Sequence, residues 1–270
     1  MTAALFDTHC HIDDPRFDAD RDQVILNMRE HSVQFAVAVG FDMPSSRQAL
    51  LFARSHPMFY GAAGIHPHEA KTYHADDLDE LAGLLRDARA VALGEIGLDY
   101  YYDLSDRPVQ REVCIRQMEL AFKAGMPVIY HVRDAHEDML RLMEERKTEL
   151  TGGIIHCFSG SMDQAKRYLA LGFYISFAGP VTFKNAPKLW ETAAFVPPDR
   201  LLLETDAPYL SPEPMRGKRN EPAYIRYVAE KIACIRGISF EELANLTTAN
   251  ARKVYRIPPC GTLLDGRGVH

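Results

Sequence analysis

The stretch FDTHCH, residues 6–11, decides how this chain is read. It places Asp7, His9 and His11 at a spacing of two, which in a β-strand puts all three on one face and Thr8 and Cys10 on the other. A run that begins apolar and ends on imidazoles suits a strand buried at one end and open to a site at the other. The pattern recurs along the chain: AAGIHPH (62–68) ends on His66 and His68, VIYH (128–131) on His131 and GIIHC (153–157) on His156 and Cys157. Two further runs stop on acids, VALGE (91–95) on Glu95 and LLLETD (201–206) on Asp206.

Eight apolar runs can be marked, at residues 4–6, 35–39, 59–65, 91–96, 128–132, 154–158, 174–178 and 201–203. They are nearly continuous rather than alternating, as expected of parallel strands covered by helices on the outside. Helical periodicity and start signals fill the intervals: Ser45-Ser46 ahead of RQALLFAR, Asp77 with Glu80 ahead of LAGLLRDA, and Ser161 ahead of MDQAKRYLALG with Gly172 as a stop. Eight such repeats predict an α/β fold, a (β/α)8 TIM barrel forming one domain over residues 1–270, with a helical tail over 221–255. A doubly wound open sheet is the alternative. Such a barrel keeps its active site at the carboxyl ends of its strands, where these His, Glu and Asp residues fall.

The composition permits this reading and excludes others. A chain of 270 residues, 47% hydrophobic and 25% charged, is an ordinary globular protein rather than a disordered one. Its formal net charge of −6 provides no global positive field, so any nucleic-acid contact has to be local. The five cysteines are odd in number and lack CxxC pairing, which argues against a disulfide framework or zinc ribbon and for a reducing, cytoplasmic setting. No run approaches the roughly 18 apolar residues of a membrane span.

A neutral imidazole or a carboxylate at the end of a buried strand is a preorganised lone pair on a rigid element, and several together can hold a divalent ion. A single histidine in such a place is usually structural; six groups converging on one barrel mouth are not. His9, His11, Glu95, His131, His156 and Asp206 are therefore the candidate ligands. His66 and His68 flank Pro67 just beyond strand three, suited to touching substrate. His31, His56, His74, His136 and His270 are expected at the surface. Glu204 shares a strand face with Asp206, Glu95 would share one with Gly97 and Asp99 if its strand ran that far, and Cys157 should point away from His156.

The ordered set FDTHCHID, GIHPH, GEIGLDYYYD, PVIYHVRDA, IIHCFSG, LLLETDAPYL followed by RGKRNEPAYI, and NLTTANARKVY resembles the TatD family of metal-dependent hydrolases and deoxyribonucleases. The resemblance implies a binuclear centre in which His9, His11 and Asp206 bind one metal, His131 and His156 the other, and Glu95 bridges both. It implies a nuclease, with 3′-to-5′ exonuclease activity on single-stranded DNA and RNA as a further substrate; a monomer is expected. Glu95 and Asp206 are then the catalytic carboxylates, Asp206 orienting the attacking water or accepting its proton. The family suggests Mg²⁺, while four imidazoles also suit Mn²⁺ or Zn²⁺.

Around the centre, strand alternation places Arg133 on the face of His131, able to meet a phosphate bidentately or to pair with Asp134. Arg216, Lys218 and Arg219 in SPEPMRGKRNEP are expected to form a cationic rim beside Asp206. Tyr100, Tyr101 and Tyr102 could stack exposed bases, with at least one in the core. Two other readings stand beside the nuclease: an amide or ester hydrolase on the same centre, such as an aminoacyl-tRNA deacylase, and a barrel without chemistry that serves as a binding module.

Overall fold

A computed structural model describes residues 4–258. The expected strands are all present: β1 (Leu5–Cys10), β2 (Val33–Val39), β3 (Phe59–Ala63), β4 (Ala90–Asp99), β5 (Val128–Arg133), β6 (Gly153–Ile155), β7 (Tyr174–Phe177) and β8 (Leu201–Leu203). They pair in parallel in the order of the sequence. Helices α1 (Arg21–Glu30), α2 (Met43–Ser55), α3 (Asp77–Leu84), α4 (Arg107–Ala124), α5 (His136–Glu145), α6 (Met162–Ala170) and α7 (Pro187–Phe195) separate successive strands. The predicted tail resolves into α8 (Ile225–Arg236) and α9 (Phe240–Val254), divided at Gly237, whose φ of +64° suits a residue without a Cβ.

The last strand returns to the first. Cys10 bridges Ala207, the His11 amide donates to Ala207 O at 2.7 Å, and the Asp206 amide donates to His9 O at 2.9 Å. The fold is a (β/α)8 barrel, and its closure sets His9, His11 and Asp206 on adjoining strand ends. Its interior is packed by Phe6, Val37, Val39, Ala62, Ala92, Ile129, Ile154, Tyr174 and Leu202. Full burial of a large apolar side chain contributes about 1.5–3 kcal/mol. Tyr255, following α9, packs edge-on against Phe6 at the amino ends of the strands and donates its hydroxyl to Thr8 O at 2.7 Å. That end is thereby filled, leaving the carboxyl ends as the open face.

The capping residues match the local sequence signals in part. Ser161 caps α6 through a reciprocal capping box with Gln164, as expected. For α2 the cap is Asp42, two positions before the helix reaches Pro44, and Ser45 is its partner inside the first turn. The start of α3 is preceded by Asp76; Asp77 accepts the His74 amide instead. Two glycines permit close approach of neighbouring strands. A Cβ on Gly97 (φ +145°) would lie 1.9 Å from His131 O, and one on Gly153 (φ +140°) 2.0 Å from Val128 O.

Candidate metal centre

His9 and His11 enter the barrel mouth through an irregularity in β1. Pairing with β2 shifts register between Asp7 and Cys10, so strict alternation fails there. Thr8 Oγ1 accordingly lies inside the barrel, 3.3 Å from Ser176 Oγ on β7 and donating to Leu203 O at 2.9 Å, while the next residue, His9, also faces inward. Asp7 does not join the two histidines as period two predicted. Its carboxylate accepts the Thr205 amide and hydroxyl and the His9 amide, and burial pushes its pKa up to about 8. It locks β1 to the end of β8.

Three overlapping groups of potential ligands result: His9, His11 and Asp206; His9, Glu95 and His156; His66, Glu95 and His131. In the first, His9 Nε2 is 3.3 Å from His11 Nε2, and Asp206 Oδ1 is 3.6 and 3.4 Å from them. On the other side of Glu95, its Oε1 is 2.7 Å from His156 Nε2 and 3.0 Å from His131 Nδ1, and these two nitrogens are 3.2 Å apart. Glu95 Oε2 lies 3.5 Å from His9 Nε2, so one carboxylate faces both groups. Ligands about 2.0–2.2 Å from a cation sit about 3.0–3.5 Å from one another, and the separations here run from 2.7 to 3.6 Å around that range.

Hydrogen bonds on the far side of three of the four rings test whether these atoms fit a cation, while His9 Nδ1 is buried without a partner among the described residues. His11 Nδ1 is 2.8 Å from Val39 O, His156 Nδ1 3.1 Å from Glu204 Oε1, and His131 Nε2 2.9 Å from Asp99 Oδ2. Carbonyls and carboxylates accept, so each of those nitrogens carries hydrogen and the opposite nitrogen offers its lone pair to the centre. Lone pairs facing one another, with carboxylates between them, are stable only around a proton or a cation. Burial pushes Glu95 up, but the imidazoles of His156, His66 and His9 outweigh it and hold the carboxyl well below its usual range. Asp206 likewise outweighs the opposing effect of burial and raises His11 to about 9. A cation entering here displaces protons, so metal affinity falls as pH drops.

The substrate candidates divide. His66, His68 and Arg133 line a cleft of about 650 Å³ that opens over His11, Glu95, His131, His156 and Asp206. The Arg133 guanidinium lies 3.9 Å from the Tyr101 ring centroid and 4.8 Å from that of Tyr102, and it forms no ion pair with Asp134. Tyr101 and Tyr102 are exposed, whereas Tyr100 packs against the core and donates its hydroxyl to Asp138. The expected cationic rim does not assemble. Arg219 is committed to a bidentate pair with Asp20, Arg216 stacks over Phe183, and neither they nor Lys218 line the cleft. Phe41, Tyr102, Leu104, Tyr209 and Leu210 supply an apolar and aromatic rim instead.

Among the remaining histidines, His31 and His74 are exposed and His56 half-buried, and His270 lies outside the described residues. His136 corrects the surface expectation: it is buried at the start of α5, 3.1 Å from the Tyr168 hydroxyl, because α6 packs across it. Cys157 also departs from alternation, since β6 ends at Ile155; it lines the cleft, with burial pushing its thiol well up.

A family model described as TatD related DNase matches residues 6–256. The chain belongs to this family. The uncharacterised metal-dependent hydrolase YabD of Bacillus subtilis is 44% identical to it over 253 residues, covering 94% of this chain and 99% of YabD. The 3′-5′ ssDNA/RNA exonuclease TatD of Salmonella typhimurium is 35% identical over 258 residues, covering 94% and 99%. Among solved structures, the TatD homologue YJJV of Escherichia coli K12 superimposes with a TM-score of 0.90 at 30% identity, covering 96% of this chain and all of its own. The protein is thus a metal-dependent hydrolase of the TatD family, and among the described residues no helix is long and apolar enough to cross a membrane.

Two carboxylates in this TatD barrel were not among the expected site residues. Asp99 closes β4, and its Oδ2 meets both His131 Nε2 (2.9 Å) and His68 Nε2 (3.0 Å). Burial pushes Asp99 up, but hydrogen bonds from those rings and the Tyr102 amide prevail and hold it well below the usual carboxylate range. Its other oxygen accepts the Tyr101 and Tyr102 amides, coupling the aromatic rim to the His131 ring. Glu204, fully buried, orients His156 and accepts the Cys157 amide at 2.6 Å. The signal for both was strand parity, which placed each on the face of a ligand without indicating what it would touch.

Proposed function

We propose that this chain is a phosphodiesterase acting on nucleic acid, a 3′-to-5′ exonuclease on single-stranded DNA with RNA as a further substrate. The observation that carries the reading is the sharing of Glu95 between two groups of lone-pair donors at the floor of a cleft walled by Arg133 and exposed aromatic rings. His9, His11 and Asp206 would hold one divalent cation and His131 and His156 the other, with Glu95 between them. When bound, such a pair polarises phosphoryl oxygens, lowers the pKa of water and neutralises the leaving oxygen. Mg²⁺ is the family expectation, with Mn²⁺ and Zn²⁺ compatible with the imidazoles.

The chain's own residues supply the rest. Asp206, within reach of both His9 and His11, orients the attacking water and takes its proton. Arg133, the single Lys or Arg among the described residues lining the cleft, meets the nonbridging oxygens. Phe41 and Tyr209 flank His11 with ring centroids each 5.9 Å from it, and with Tyr102 they offer faces to bases that a duplex would keep stacked. A single arginine in the cleft lining suits a short footprint on a strand end better than a long duplex track. A cytoplasmic, monomeric enzyme is part of this proposal.

End-labelled single- and double-stranded DNA, RNA and aminoacylated RNA, each with Mg²⁺, Mn²⁺ and Zn²⁺, test the proposal. Stepwise shortening of 5′-labelled single strands from the 3′ end is expected. Deacylation or amide hydrolysis with oligonucleotides left intact under every metal would replace this reading with that of an amide or ester hydrolase.

A further inference from the structure

The histidines of the cleft differ in which nitrogen holds the proton, and His66 stands apart from the ligands. The backbone N–H of His68 donates to His66 Nδ1 at 3.0 Å, the ring serving as N-cap of the short helical turn Pro67–Thr72. A backbone amide can only donate, so Nδ1 holds the lone pair and the single proton of a neutral imidazole sits on Nε2. In His11, His131 and His156 the nitrogen facing the centre is the bare one. The His66 ring is held by edge contacts with His68 (centroids 4.3 Å) and His131 (4.4 Å). Its Nε2 makes no hydrogen bond among the described residues, and Glu95 Oε1, at 3.7 Å, is too distant to accept one.

We infer that His66 is a neutral N–H donor to an anionic oxygen of the phosphoryl group being hydrolysed, and not a ligand of a third cation. The inference deepens the phosphodiesterase reading and rests on it for the identity of the substrate. Its atoms do lie within 4.8 Å of Glu95 and His131 donors, a spacing that would admit an ion. Ligation through Nε2 would, however, require the ring either to surrender its one proton or to move it to Nδ1 against the His68 amide. As a donor it needs neither change: the proton remains on Nε2 while charge grows on the oxygen facing it. A preorganised donor of this type accounts for roughly a hundredfold to a thousandfold in rate when removed.

His66→Asn separates the two roles, because an asparagine oxygen can still cap the turn while the donor at the Nε2 position is lost. Metal-loaded wild type and variant would be compared for metal stoichiometry, melting temperature, affinity for inorganic phosphate by calorimetry, and kcat and KM on an oligonucleotide. We expect unchanged metal content and melting temperature, phosphate bound on the order of tenfold more weakly, and kcat lowered at least about a hundredfold with a smaller change in KM. A second variant, His66→Gln, whose amide reaches towards the Nε2 position, should recover part of the loss. Departure of an ion in His66→Asn would make His66 a ligand and overturn the inference. So would two bound ions with wild-type phosphate affinity and rate. Metal content and phosphate affinity are read without the nuclease assay: a wild type that binds phosphate through His66 yet cleaves no nucleic acid would defeat the substrate reading and leave this inference standing.

Discussion

Substituting Glu204 separates the charge of a buried carboxylate from its hydrogen bonds. One oxygen accepts from His156 Nδ1 at 3.1 Å and from the Cys157 amide at 2.6 Å, and the other has no partner among the described residues. Glu204→Gln keeps an oxygen for both donors and puts its NH₂ where the unpartnered oxygen was. What it removes is the negative charge that makes His156 Nε2 a better electron-pair donor. Loss of such a partner lowers metal affinity about 10–100-fold, or about 1.4–2.7 kcal/mol. Glu204→Ala also strands two buried N–H groups at about 1–3 kcal/mol each, for about 2–6 kcal/mol of folding stability. Melting curves in excess chelator, together with metal affinity measured by chelator competition, resolve the two effects. The glutamine variant should melt near wild type and bind its weaker ion about 10–100-fold less tightly; the alanine variant should lose both. Wild-type affinity for two ions in Glu204→Gln would refute the orienting role.

Three further outcomes are expected. Gly97→Ala forces a Cβ towards His131 O, so it should cost at least about 1–3 kcal/mol of stability and spread Glu95 from His131; a wild-type melting temperature would contradict that packing. Burial lowers the His136 pKa to about 4, with Asp134 and Glu137 raising it, His131 lowering it and Tyr168 bonded to its ring. The folded state thus keeps the ring neutral where the unfolded chain protonates it: the stability is intact above about pH 6.5 and declines by about 3 kcal/mol as pH falls to 4. His136→Gln should flatten that part of the urea-measured profile, and parallel curves for the two proteins would exclude it. Finally, His9→Ala and His156→Ala should each lower metal occupancy and abolish turnover, whereas chelation of the wild type should be reversible because the barrel core holds without metal; metal analysis before and after dialysis checks both.

Most of the fold was legible because a parallel barrel strand has a distinctive form in sequence: a short apolar run ending in the chemistry it presents. His9, His11, Glu95, His131, His156 and Asp206 could be placed at one mouth for that reason. The parts that escaped depend on contacts distant in sequence or on local departures from ideal geometry. Strict alternation in β1 could not show that Thr8 and His9 both turn inward across a register shift. Arg219 read as one cation in a basic loop, yet Asp20, 199 residues earlier, claims it. His136 read as a surface residue because the ring that covers it, Tyr168, lies on the next helix. Asp99 and Glu204 were visible as acids on the right faces; their bonds to His131 and His156 required the assembled barrel.

Glu95 would bridge two cations that together serve phosphodiester cleavage. Glu95→Gln keeps the side chain's shape and removes the charge that would offset repulsion between two ions held as proposed. Metal stoichiometry measured alongside kcat on a labelled single-stranded oligonucleotide, across a metal titration, tests it directly. Fewer than two tightly held ions are expected, with a rate lower by roughly a thousandfold, equivalent to about 4 kcal/mol of transition-state stabilisation. Two bound ions with turnover within a factor of a few of wild type would contradict it.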